Sequence, residues 1–123
     1  MTRILYVDDD DDIREVALMA LELDDGLEVR GCASGAEALA VAPMFQPELI
    51  LLDVMMPQMD GPTTLAGLRA DPRTAAIPVV FITARTQTAD VEQLKLLGAL
   101  GVIPKPFDPM TLAEQARAFM AAG

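Results

Sequence analysis

Three short runs of this chain, residues 4–7, 49–52 and 79–82, are apolar throughout. A strand with one face in water alternates polar and apolar side chains, so these runs read as strands buried on both faces. The segments between them change period. Ile13, Val16, Ala17, Ala20 and Leu21 recur at spacings of three and four until Asp24, Asp25 and Gly26 end the pattern, which predicts a helix with these residues as its inward stripe. Residues 27–32 read as another strand. Ser34, with Glu37 three residues on, has capping-box spacing and opens an alanine-rich helix to about Ala42, after which Pro43 and Pro47 bracket the return to strand. Asp60-Gly61 turns into a helix over 63–70, and a further helix over 89–97 stops at Gly98. Val102 and Ile103 form a short fifth strand, and Pro109 opens a last helix to about Met120. Five strands alternating with five helices in 123 residues predict an α/β fold, a doubly wound parallel sheet covered on both sides. A closed eightfold barrel needs about twice that length.

The length fits one domain, residues 1–123, with a core of its own. No apolar run approaches the roughly eighteen residues of a membrane span, and the start of the chain lacks the apolar stretch and cleavage site of a secretory signal, so a cytoplasmic location is expected. Cys32 is the one cysteine and histidine is absent. That excludes an internal disulfide, a thiolate metal cluster, imidazole ligands and every nucleophilic triad built on histidine. Nine basic residues against 19 acidic ones give a formal charge of -10, which argues against direct binding of nucleic acid or an anionic membrane. Five of those acids are consecutive, Asp8 to Asp12. Such a run needs a cation, a helix start, or both.

Ligands of open α/β sheets bind at the carboxyl ends of the strands. Four of the five predicted strands run directly into polar residues there: Asp8 and Asp9, Asp53, Thr83 and Lys105. On one rim the three carboxylates repel unless an oxygen-seeking cation lies among them, and Mg2+ suits such a donor set. Asp53 beside a metal can attack a phosphoryl group in line and form an acyl phosphate. Each residue also has a plainer reading. One of Asp10, Asp11 and Asp12 caps the first helix, with Asp12 favoured; Asp53 starts the turn before Met55-Met56-Pro57; Thr83 caps its own loop. Lys105 is one of two lysines and is pinned between Pro104 and Pro106, where an X-Pro bond admits the cis form.

These residues carry a resemblance. In Val7-Asp8-Asp9, in Asp53-Val54-Met55-Met56-Pro57-Gln58-Met59-Asp60-Gly61, in Thr83-Ala84 and in Lys105-Pro106-Phe107, the chain resembles the response-regulator receiver domain of two-component phosphorelays over essentially its whole length. The resemblance implies a flavodoxin-like sheet of order 2-1-3-4-5 and a phosphoacceptor switch rather than an enzyme. Asp53 would take the phosphoryl group from a phosphohistidine on a histidine kinase or histidine phosphotransfer protein. Mg2+ would be held by Asp8, Asp9, Asp53 and the Met55 carbonyl, with Asp9 in direct contact and Asp8 through water. Thr83 would donate its hydroxyl to a phosphoryl oxygen, and Lys105 would pair with carboxylate and phosphate. The output would be contact with a downstream protein, from an apparently single-domain chain that is a monomer or weak dimer. The alternative is a small Mg2+-dependent phosphohydrolase, and a third class is a binding module that does not use phosphorylation.

The chain also departs from that family. Val102 stands where an aromatic residue is usual in the last strand, which leaves movement of the helix over 89–97 as the expected response. Leu100, Gly101 and Gln115 replace the charged residues through which the DNA-binding branch pairs, so that dimer is not expected. Arg85 is expected to border the site, and Leu18 and Met19 to form part of the surface on which the donor docks.

Overall fold

The computed structural model describes residues 1–122. Its elements run β1 (Thr2–Val7), α1 (Asp11–Glu22), β2 (Leu27–Cys32), α2 (Gly35–Phe45), β3 (Leu49–Asp53), α3 (Gly61–Ala70), β4 (Val79–Thr83), α4 (Thr88–Leu96), β5 (Gly101–Pro104) and α5 (Leu112–Ala122). The five strands are parallel in the order β2-β1-β3-β4-β5. The three all-apolar runs are the three inner strands, and their apolar residues are fully buried.

Because successive strand residues point to opposite faces, each inner strand feeds two cores. Leu5, Val7, Ile50, Leu52, Val79 and Phe81 pack with residues of α2, α3 and α4. Ile4, Tyr6, Leu49, Leu51, Val80 and Ile82 pack with residues of α1 and α5. The strands are in register such that Val7 lies opposite Leu52, Asp53 opposite Ile82 and Thr83 opposite Pro104. Their polar terminal residues therefore reach one edge of the sheet together. Among the described residues no helix is long and apolar enough to cross a membrane.

Several local expectations are corrected. The cap of α1 is Asp10, not Asp12: its carboxylate accepts from the N–H groups of Asp12 (3.0 Å) and Ile13 (3.1 Å), satisfying two of the donors left free at a helix start. Within α1 the inward stripe is centred on Ala17 and Leu21. Leu18 is half-buried on one flank, against the space that Gly31 leaves in β2, while Val16 lies beyond the other flank and is 45% exposed. Helix α2 continues through Pro43 to Phe45 instead of stopping at Ala42. Its end is held by Gln46, in the left-handed region at φ 51°, whose N–H reaches the Ala42 carbonyl and whose side chain donates to the carbonyls of Pro43 (2.9 Å) and Arg73 (3.1 Å). Arg3 adds a bond to the Phe45 carbonyl at 2.8 Å. Helix α5 begins at Leu112 rather than at Pro109, because Asp108 closes a separate turn by accepting from Met110 N–H at 2.9 Å.

Helix α4 is held most lightly. Leu94 is its buried residue, its N-terminus has no side-chain cap, and Leu96 and the following Leu97 are exposed. It ends where Gly98 takes a φ of 112°, which a side chain would resist.

Candidate functional site

The strand ends bring together the acids read from the sequence. Asp8 follows β1 and is fully buried; Asp53 ends β3 and is 4% exposed; Asp9 is exposed at the mouth. One carboxylate oxygen from each of the three lies within 4.8 Å of the others. Lys105 Nζ stands 3.1 Å from Asp8 Oδ2 and 3.1 Å from Asp53 Oδ1, so one ammonium bridges two of three carboxylates. The cleft holds about 290 Å³ and is lined by these residues with Asp10, Ile13, Met55, Thr83 and Ala84.

Backbone bonds fix the rim. Val54 N–H donates to the Ile82 carbonyl at 3.1 Å, Gly61 N–H to the Val54 carbonyl at 2.9 Å, and Lys105 N–H to the Thr83 carbonyl at 2.9 Å. Gly61 is required where it stands: a Cβ there would lie 2.5 Å from the Asp53 carbonyl oxygen and 2.9 Å from Phe81. The Lys105–Pro106 peptide is cis.

Burial, and then the neighbouring Asp8, push the Asp53 carboxyl up to about 6 against the pull of Lys105. For Lys105, burial opposes its charge, but Asp53 and Asp8 outweigh it and hold the ammonium above its ordinary value. One cation thus leaves the cluster under-neutralised. Hard carboxylate oxygens, two buried and one at the mouth, form a donor set that fits Mg2+, which takes one or two carboxylates and keeps other positions for water and phosphate.

Thr83 is buried at the end of β4, lines the cleft, and accepts from Arg85 N–H through its hydroxyl oxygen at 3.0 Å. It therefore caps its own loop and faces the cleft as well. Met55 lines the cleft with its side chain 70% exposed. Arg85 does not line the acidic cleft but a groove beside α4, shared with Thr83, Val54, Pro62, Asp90 and Leu94.

One participant was not singled out from the sequence. Tyr6 hydroxyl donates to Asp8 Oδ2 at 3.1 Å within the core. The available signal was strand alternation, which puts residues two apart on one face.

A second, larger groove of about 470 Å³ adjoins the cleft, lined by Ile13, Val16, Ala84, Pro106, Phe107 and Pro109, with Asp12 and Lys105 at its edge. Leu18 and Met19 do not line it; Leu18 packs toward β2 and Met19 is 63% exposed.

A family model described as the response regulator receiver domain matches residues 4–117. Among curated relatives, the DNA-binding dual master transcriptional regulator RpaA of Synechocystis is 40% identical over 120 residues, 98% of this chain and 49% of that protein. The DNA-binding response regulator MtrA of Mycobacterium tuberculosis is 38% identical over 116 residues, 94% of this chain and 49% of that one. The chain thus spans about half the length of these relatives. Among solved structures, the chemotaxis response regulator CheY4 of Vibrio cholerae superposes with a TM-score of 0.88 at 34% identity, covering 97% of this chain and 98% of that one. A response regulator structure from Chloroflexus aurantiacus gives 0.84 at 32% identity, covering 98% of each chain.

Proposed function

The chain belongs to the response regulator receiver domain family, and from that premise we propose that residues 1–123 form one phosphoacceptor domain in which Asp53 takes a phosphoryl group from a phosphohistidine donor. The observation that carries this reading is the Lys105 ammonium 3.1 Å from both Asp8 and Asp53, beside Asp9, at a rim with too little positive charge for its carboxylates. Asp8, Asp9, Asp53 and the Met55 carbonyl would hold Mg2+, which supplies charge neutralisation around the phosphoryl oxygens when bound.

An Asp53 carboxylate oxygen attacks phosphorus in line as the P–N bond to the donor imidazole breaks. The bond pair returns to the donor nitrogen, and an acyl phosphate remains. Lys105 holds the carboxylate through Oδ1 and lies close enough to pair with a phosphoryl oxygen. The Thr83 hydroxyl, buried at the rim, turns from its loop to donate to another. Nothing in this step requires a histidine on the acceptor chain. Catalysis is positioning and charge compensation.

The histidine kinase or phosphotransfer protein that supplies the group docks over the groove of Ile13, Val16, Pro106 and Phe107. Its floor is apolar, Asp12 stands in its lining, and the exposed Asp9 and Asp10 line the cleft it adjoins, which favours a partner with an apolar centre and a basic rim. Donor docking is therefore assigned to Val16 and this groove instead of Leu18 and Met19. The phosphorylated state is read by a downstream protein. The formal charge of -10 argues against DNA contact by these residues themselves.

Incubation with Mg2+ and acetyl phosphate, followed by intact mass, tests the assignment. One hydroxylamine-labile adduct per chain is expected, and Asp53→Asn removes it. Continuous phosphate release from phosphomonoesters would instead identify a hydrolase, and an adduct that persists in Asp53→Asn would move the acceptor elsewhere.

A further inference from the structure

Tyr6 is fully buried in β1, on the sheet face that packs against α1 and α5. Its ring is met edge-on by Phe107, with centroids 6.5 Å apart and planes at 70°. The hydroxyl donates to Asp8 Oδ2, the oxygen that Lys105 also approaches, each at 3.1 Å. The other oxygen of Asp8 accepts from Asp10 N–H at 3.0 Å.

A carboxylate oxygen has about two acceptor directions. Oδ2 of Asp8 is therefore filled by the phenol and the ammonium, and Oδ1 retains one direction beyond its bond to Asp10. Lys105 sits on a long flexible stem and cannot alone fix the carboxylate plane. The phenol can, because its ring is wedged in the core and its oxygen has one place to be. A phenylalanine would fill the same space without reaching Asp8, so the hydroxyl is the part of this residue that concerns the cleft.

We propose that Tyr6 is a positioning residue of the phosphoacceptor site, its hydroxyl orienting Asp8 so that the remaining carboxylate direction serves a divalent cation or its bound water. The inference rests on the phosphoacceptor reading above for the identity of the cleft. Outer partners that orient metal ligands typically contribute tenfold or more to metal affinity.

The test is Tyr6→Phe, which keeps the ring against Phe107. Titration with magnesium chloride by calorimetry should show half-saturation at about tenfold higher concentration than in the parent. The cation-induced rise in melting temperature should shift by the same factor, and labelling by acetyl phosphate should return to the parent rate once Mg2+ saturates. A lower melting temperature with the parent's Mg2+ half-saturation would make the hydroxyl a packing feature only and overturn the proposal. Failure of the parent itself to be labelled would count against the phosphoacceptor reading, while the Mg2+ titration would still decide the role of Tyr6.

If the variant does not fold, the parent supplies a second readout. Tyr6 is the one tyrosine of a chain without tryptophan, so its emission reports this single hydrogen bond. A carboxylate acceptor quenches phenol emission; cation binding draws charge from Asp8 and should raise emission with the half-saturation seen by calorimetry. Emission unchanged at saturating Mg2+ would overturn the proposal.

Discussion

Replacing Asp53 by asparagine should stabilise the metal-free protein. Asp53 is 4% exposed, and the pKa of its carboxyl is raised from 3.8 to about 6 by burial and by Asp8. An acid whose folded-state pKa is raised retains a proton in the fold at a pH where the unfolded chain has lost it. Folding stability therefore falls as pH rises from 3.8 toward about 6, and the loss is complete above that window. Two units at about 1.4 kcal/mol each make the charged form cost roughly 3 kcal/mol near neutral pH. Asparagine keeps an oxygen acceptor for Lys105 and removes the charge, but forfeits part of the ion pair, so the net gain is put at about 2 kcal/mol. For a domain of this size that is on the order of 5 to 10 °C in melting temperature. The assay is thermal unfolding by circular dichroism in EDTA across pH 4 to neutrality. The parent should lose stability through the window, the variant should stay flatter, and the two should converge at the acid end. Adding Mg2+ should raise the parent more than the variant. A variant that melts no higher than the parent near neutral pH, or that keeps the parent's pH slope, refutes the argument that an under-compensated charge is buried here.

Asp9→Asn, at the exposed member of the proposed ligand set, should leave the fold intact while weakening the Mg2+-induced rise in melting temperature and slowing labelling; an unchanged rise would remove Asp9 from that set. Val16→Asp should slow transfer from a phosphorylated partner protein but not labelling by acetyl phosphate, and equal slowing with both would discard the docking groove. Leu18→Ala, by contrast, should cost about 1 to 2 kcal/mol of stability, less than a fully buried leucine, with labelling by both donors preserved. Gly61→Ala should cost about 2 kcal/mol or more, because the new methyl meets the Asp53 carbonyl, and melting at the parent temperature would show that this loop yields freely.

The architecture was legible because its signals are local and redundant. Strands made only of apolar residues require a sheet covered on both sides, and the polar residues that end them sit together wherever the strands are parallel and in register. Asp8, Asp9, Asp53, Thr83, Met55 and Lys105 accordingly line the same cleft. The misreadings share a different origin. Val16 and Leu18 lie on opposite flanks of the α1 stripe, so a modest rotation of the whole helix decides which of them is covered, and the glycine in β2 that admits Leu18 belongs to another element. Helix α2 runs past Pro43 to an end that Arg3 and Gln46, neither within the helix, hold by donating to the carbonyls of Phe45 and Pro43. Asp10 rather than Asp12 caps α1 because the helix starts one residue later than Asp10, a boundary that five identical side chains cannot mark. The hydroxyl of Tyr6 was hidden in a run read for its apolarity alone.

Helix α4 is fastened to the sheet chiefly by Leu94, while the strand before it is buried along its whole length. The free energy needed to open a segment follows the contacts it gives up, so backbone amides of α4 should exchange with solvent through local excursions that leave β1, β3 and β4 protected. Thr83 stands at the frontier between these regimes. A ligand that pulled on its hydroxyl would then be expected to change how often the neighbouring helix detaches without the sheet having to deform. Occupancy of the cleft would on that expectation be read as a rate of fluctuation, a signal that a rigid core and a loosely tied helix carry more readily than two fixed shapes would.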